Sequence, residues 1–99
     1  MIINKTRDGN KLYFRLEGRL DTTAAVKLEK TLLLDDIEEV TFDFRELQYL
    51  SSSGLRILLK AQKKMNSNKG KMIVENVNDI IMEVFETTGF SNILTIKNT

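Results

Sequence analysis

Two apolar periods alternate along these 99 residues, and that alternation limits the folds open to the chain. Leu12, Phe14 and Leu16 recur at every second position, with Tyr13, Arg15 and Glu17 between them. That is the pattern of a strand with one buried face. Ala25, Leu28 and Leu32 then recur at helical spacing, separated by Lys27, Glu29 and Lys30, and predict a first helix ending near Leu34. The run VTFDF is β-branched or aromatic apart from Asp43, and reads as a central strand. A second helix follows, with Leu55, Leu58, Leu59, Gln62 and Met65 on one side. MIVE forms a short strand, and Val77, Ile81, Val84 and Phe85 mark a third helix. ILTI forms the last strand. Ile2 and Ile3 start an edge strand that turns back at Asp8-Gly9-Asn10. Asp21, Thr22 and Thr23 are all good N-caps for the first helix; Asn76 or Asn78 suits the third, with Gly89 at its end. The order ββαβαβαβ implies right-handed crossovers and parallel strands after the opening hairpin. The expected fold is a mixed α/β sheet covered by helices.

The length suits one domain over residues 1–99, and no repeat or linker divides it. Lys plus Arg is 15 and Asp plus Glu is 14, so the chain lacks the positive charge that drives direct nucleic-acid binding. There is no Cys and no His, which removes thiolate chemistry, disulfides and the commonest zinc ligand and general base. No apolar run approaches the ~20 residues of a membrane-spanning helix, and the N-terminus has no leader-like pattern. The expectation is a cytoplasmic domain with no membrane insertion and no cofactor. With neither a G-x-S-x-G elbow nor a phosphate-binding loop, an enzyme is not expected.

The segment that can carry function is Ser51-Ser52-Ser53-Gly54, where a loop after the central strand opens the second helix. In open α/β sheets, sites form at that carboxyl edge. A helix N-terminus has unpaired N–H groups and about half a positive charge, so an anion is stabilised there. A single Ser suffices as a cap, which leaves the other two unaccounted for. Arg56, four residues after Ser52, falls on the same helix face and is expected to reach a negative group there.

GRLDTTAAVKLEKTL followed by VTFDFRELQYLSSSGLRILL resembles the STAS domain, the fold of bacterial anti-sigma factor antagonists. The resemblance extends to Thr88-Gly89-Phe90 before the last strand. It implies a single STAS-like domain with about five strands covered by three or four helices. It also implies an anti-anti-sigma module that binds an anti-sigma factor with serine kinase activity and so releases a sigma factor. Ser52 falls on the family's phosphorylated Ser, Asp21 on the acidic residue near the partner's nucleotide, and Asp43 on the Asp ending the central strand. Ser51 stands where the family carries Asp, which leaves Ser51 and Ser53 as alternative acceptors. The expected partner-binding set is Asp21, Thr22, Ser51, Ser53, Gly54 and Arg56. The change at Ser51 also suits a second reading, a non-phosphorylated STAS accessory subunit of a larger assembly such as a lipid-transport ABC system.

The remaining charge clusters have plain explanations. Lys60, Lys63 and Lys64 suit a helix C-terminus, with no interleaved aromatic residues to stack bases. Asp35, Asp36, Glu38 and Glu39 fit no calcium loop and read as a solvated turn, while Val84, Phe85 and Phe90 read as core.

Overall fold

Strand β2, Lys11–Leu20, is the spine of the sheet, because three other strands pair with it. A computed structural model describes residues 1–98. Among them the order is β1 (Ile2–Asp8), β2, α1 (Thr22–Thr31), β3 (Glu39–Asp43), β4 (Leu47–Leu50), α2 (Ser52–Ser67), β5 (Lys71–Glu75), α3 (Asp79–Thr88), a 3₁₀ turn at Phe90–Asn92 and β6 (Thr95–Lys97). In space the strands run β1-β2-β3-β5-β6, with β4 paired to β2 beyond the end of β3. Among the described residues only β1 is antiparallel to its neighbour, so the sheet is mixed, as expected.

The hairpin is longer than the apolar residues alone suggested. It runs in unbroken register from Ile2 opposite Glu17 to Asp8 opposite Lys11. Gly9, at φ 61°, supplies the left-handed residue that so tight a turn requires. Polar residues fill most of β1 because it is an exposed edge, and backbone pairing rather than burial holds it.

The period-two residues of β2, with Val40 and Phe42 of β3 and Met72 and Val74 of β5, bury one face of the sheet. Leu28 of α1, Leu58 and Met65 of α2, and Ile81 and Phe85 of α3 complete the core. Phe14 stacks on Phe42 at 5.2 Å, and Phe44 carries the aromatic contacts on to Phe85 at 6.2 Å. Such contacts contribute roughly 0.5–1.5 kcal/mol each beyond the area they bury.

Several boundaries differ from expectation. Strand β2 continues as far as Leu20, directly before the cap of α1, and the expected loop before the serines contains β4. Helix α1 stops at Thr31, where the Leu32 N–H bonds back to the Glu29 carbonyl. The last strand is Thr95–Lys97, because Phe90–Asn92 winds into a 3₁₀ turn first. Leu59, Val84 and Phe90 are half-buried, and the last two pack at the margin of the core. Ile57 and Ala61 occupy the buried face of α2 instead of Leu59, since α2 packs against α1 as well as against the sheet.

Candidate functional site

The starts of α1 and α2 lie side by side at the carboxyl edge of the sheet. Asp21 caps α1, its Oδ1 accepting from the Ala24 N–H at 2.9 Å. Ser51 caps α2, its Oγ accepting from the Gly54 N–H at 3.1 Å. Both caps have extended backbone, as a chain leaving a strand for a helix requires. The Thr22 and Ser53 hydroxyls meet at 3.4 Å and join the two first turns.

The three serines have different surroundings. The half-buried Ser51 hydroxyl donates to the Leu20 carbonyl at 2.8 Å while it accepts from Gly54, so both of its hydrogen-bonding roles are filled. Ser53 is half-buried and turned toward Thr22. Ser52 is exposed, and among the described residues its side chain has no hydrogen-bond partner. The three hydroxyls therefore do not stand open together; one does. Arg56 is exposed one turn further along α2.

Gly54 is where α2 closes on the strands. A Cβ built there would lie 2.8 Å from both Leu20 Cγ and Leu50 Cδ1, so no larger residue fits without a shift. This close approach fixes where Ser52 stands relative to the end of β2.

Two residues of this edge were not singled out from the sequence. Arg19 and Tyr49 are opposite one another in the β2–β4 pairing, and the guanidinium sits 4.2 Å from the ring centroid. Both are exposed next to the helix starts. Their signal was weak because β4 does not alternate cleanly: a register shift between Gly18 and Arg19 leaves Gln48 and Tyr49 both outside.

Asp43 lies elsewhere in the site's framework and is only 7% exposed. Its carboxylate accepts from the Tyr13 hydroxyl at 3.0 Å and from the Arg45 N–H at 3.0 Å. Burial pushes its pKa up, but the Arg45 N–H, the Tyr13 hydroxyl, the Asn76 side chain and the Arg45 charge together hold it below the usual carboxylate range. It ends β3 as an anchored structural anion. One ion pair joins the lysine and acidic clusters, Lys64 to Asp35 at 2.9 Å; Lys60 pairs instead with Glu29 of α1 at 2.7 Å, and Glu39 with Lys11 of β2 at 3.6 Å. Among the described residues, no helix is long and apolar enough to cross a membrane.

The sequence matches the family model for the STAS domain over residues 2–99. It is 28% identical over 97 residues to the anti-sigma-B factor antagonist of Listeria monocytogenes, covering 95% of this chain and 85% of that protein. It is 33% identical over 86 residues to BtrV of Bordetella bronchiseptica, covering 84% and 74% of the two chains. The fold is similar to that of the Bacillus cell fate determinant SpoIIAA in its phosphorylated form, with a TM-score of 0.80, 17% identity and coverage of 99% and 91%. Mixed sheet, helix order and sequence agree, and the chain belongs to the STAS domain family.

Proposed function

We propose that this chain is an anti-sigma factor antagonist. In this reading it binds an anti-sigma factor with serine kinase activity through the edge formed by the starts of α1 and α2, and so frees a sigma factor. Phosphorylation of Ser52 ends the binding. The domain acts as an interaction module rather than a catalyst, and it works where its sigma factor works, in the cytoplasm. The observation that carries the reading is the contrast among the serines: Ser51 is occupied by its cap, Ser53 is turned to Thr22, and Ser52 is open to solvent. The name of the Listeria relative and the phosphorylated form of SpoIIAA support it from outside the chain.

The physics of the switch is local. A phosphate on Ser52 adds about −1.5 to −2 charge at the first turn of α2, where the helix dipole favours an anion. Arg56, one turn on, is placed to pair with it. The domain then tolerates the charge, whereas a closely packed partner surface does not, because burying an uncompensated dianion costs several kcal/mol. Ser51 supplies the same acceptor that an Asp supplies at an N-cap, so the departure from the family pattern leaves the helix start intact.

Incubation with the cognate anti-sigma kinase and ATP, followed by intact mass and fragment mapping, tests the assignment. One phosphate on Ser52, absent from Ser52→Ala, is the expected result. Equal modification of Ser52→Ala removes the site.

A further inference from the structure

We infer that the groove between α1 and α2 is a self-association surface, occupied by a second copy of this chain. It lies away from Ser52, toward the C-terminal half of α1 and the middle of α2, and has a volume of about 280 Å³. Leu32, Leu33, Leu34, Ile57 and Ala61 give it an apolar floor. Leu33 stands 71% exposed between half-buried Leu32 and buried Leu34. One surface patch thus carries both an apolar knob and an apolar hollow. That is the composition of an isologous interface, in which each copy offers what the other receives.

The charges select the occupant and its direction. The wall formed by α1 and the residues after it is acidic, with Glu29 and Asp35; the α2 wall is basic, with Lys60 and Lys64. The two ion pairs mark two levels along the groove: Glu29 of α1 stands level with Lys60 of α2, and Asp35, in the loop after α1, stands level with Lys64. A two-fold axis running along the groove sets the acidic wall of one copy against the basic wall of the other. An axis across the groove would oppose like charges. The first arrangement extends each ion pair into a four-charge network and inserts each Leu33 against the partner's α2. With a formal net charge of +1, overall repulsion does not oppose the contact. The patch is small, so the association is weak and concentration-dependent.

Sedimentation equilibrium of the intact chain up to about 1 mM tests this. The expected result is a monomer–dimer equilibrium that Leu33→Glu weakens at least tenfold, with circular dichroism unchanged because that side chain is exposed. Lys60→Glu weakens it as well, and Glu29→Lys combined with Lys60→Glu restores it. A chain that stays monomeric throughout overturns the inference. So does a dimer that Leu33→Glu leaves intact. A monomer whose binding to the anti-sigma factor is lost in Leu33→Glu assigns the groove to that partner, and overturns self-association too.

Discussion

The Ser51 hydroxyl donates to the Leu20 carbonyl oxygen at 2.8 Å, so a single side chain ties the end of β2 to the start of α2. It also caps the helix by accepting from the Gly54 N–H. Ser51→Ala removes both bonds, and a loss of about 1–2 kcal/mol in urea unfolding is expected. Ser51→Asp keeps the acceptor and gains a favourable charge at the helix dipole, but loses the donation to Leu20. Its stability is expected within about 1 kcal/mol of the parent. An alanine variant as stable as the parent would show that the cap is idle.

Gly54→Ala reverses the usual helix rule. Alanine in place of glycine at a helix interior gains about 1 kcal/mol where there is room. Here the new Cβ meets Leu20 and Leu50 at 2.8 Å. Overpacking of that kind costs about 1–3 kcal/mol, so the net sign is expected to be destabilising by denaturant midpoint. A stabilised variant would mean that the strand ends yield freely.

Asn78 joins α3 to the strand ends that carry the site. Its Oδ1 accepts from the Ile81 N–H at 3.0 Å, while its Nδ2 donates to the Leu47 carbonyl at 2.7 Å and to that of Phe44 at 3.2 Å. Asn78→Ala loses the cap and leaves part-buried carbonyls without this donor, at an expected cost of about 2–3 kcal/mol. Asn78→Ser restores the cap alone and is expected to recover less than half of that. Full recovery by serine would reduce the residue to a simple cap.

The Tyr13–Asp43 pair predicts opposite behaviour at the two ends of the pH scale. The carboxyl of Asp43 is held below its ordinary value, so its stabilisation is present above an unfolded pKa of about 3.9 and is lost as pH falls through the folded value. Burial and then the Asp43 carboxylate push the Tyr13 hydroxyl up to about 12. Its stabilisation is complete below the unfolded pKa of about 10 and is lost as pH rises toward the folded value. Tyr13→Phe is expected to cost about 1 kcal/mol at neutral pH, at the low end for a bond to a charged group because Tyr13 is 38% exposed. The variant is also expected to unfold at higher pH on the acid side and to lose the Tyr13 step on the alkaline side. Thermal midpoints measured across pH check both limbs; superimposable profiles would mean the hydrogen bond contributes nothing.

What the sequence conveyed followed from burial. Leu12, Phe14 and Leu16 declared β2 because one face of it is wholly core, and Ile81 and Phe85 declared α3 for the same reason. The caps of α1 and α3 were legible to within a residue or two, because short polar side chains before apolar-periodic runs have few other uses; the structure selects Asp21 from Asp21, Thr22 and Thr23, and Asn78 from Asn76 and Asn78. Strand β4 was not legible: Gln48 is an extra residue between Leu47, opposite Gly18, and Tyr49, opposite Arg19, and it breaks the alternation that a sequence reading depends on. Most of β1 was hidden because an exposed edge strand is held by backbone bonds. The serine segment was visible as a group, but its division of labour was not. Which hydroxyl is occupied depends on Leu20 and Thr22, both about 31 residues distant in sequence.

The central claim concerns Ser52, and the most direct measurement is calorimetric titration of the cognate anti-sigma factor against the chain before and after phosphate is placed on that serine. The account predicts at least a tenfold weaker complex, about 1.4 kcal/mol, with the thermal midpoint of the free domain nearly unchanged. Equal affinities, or weaker binding accompanied by unfolding of the domain, would contradict it.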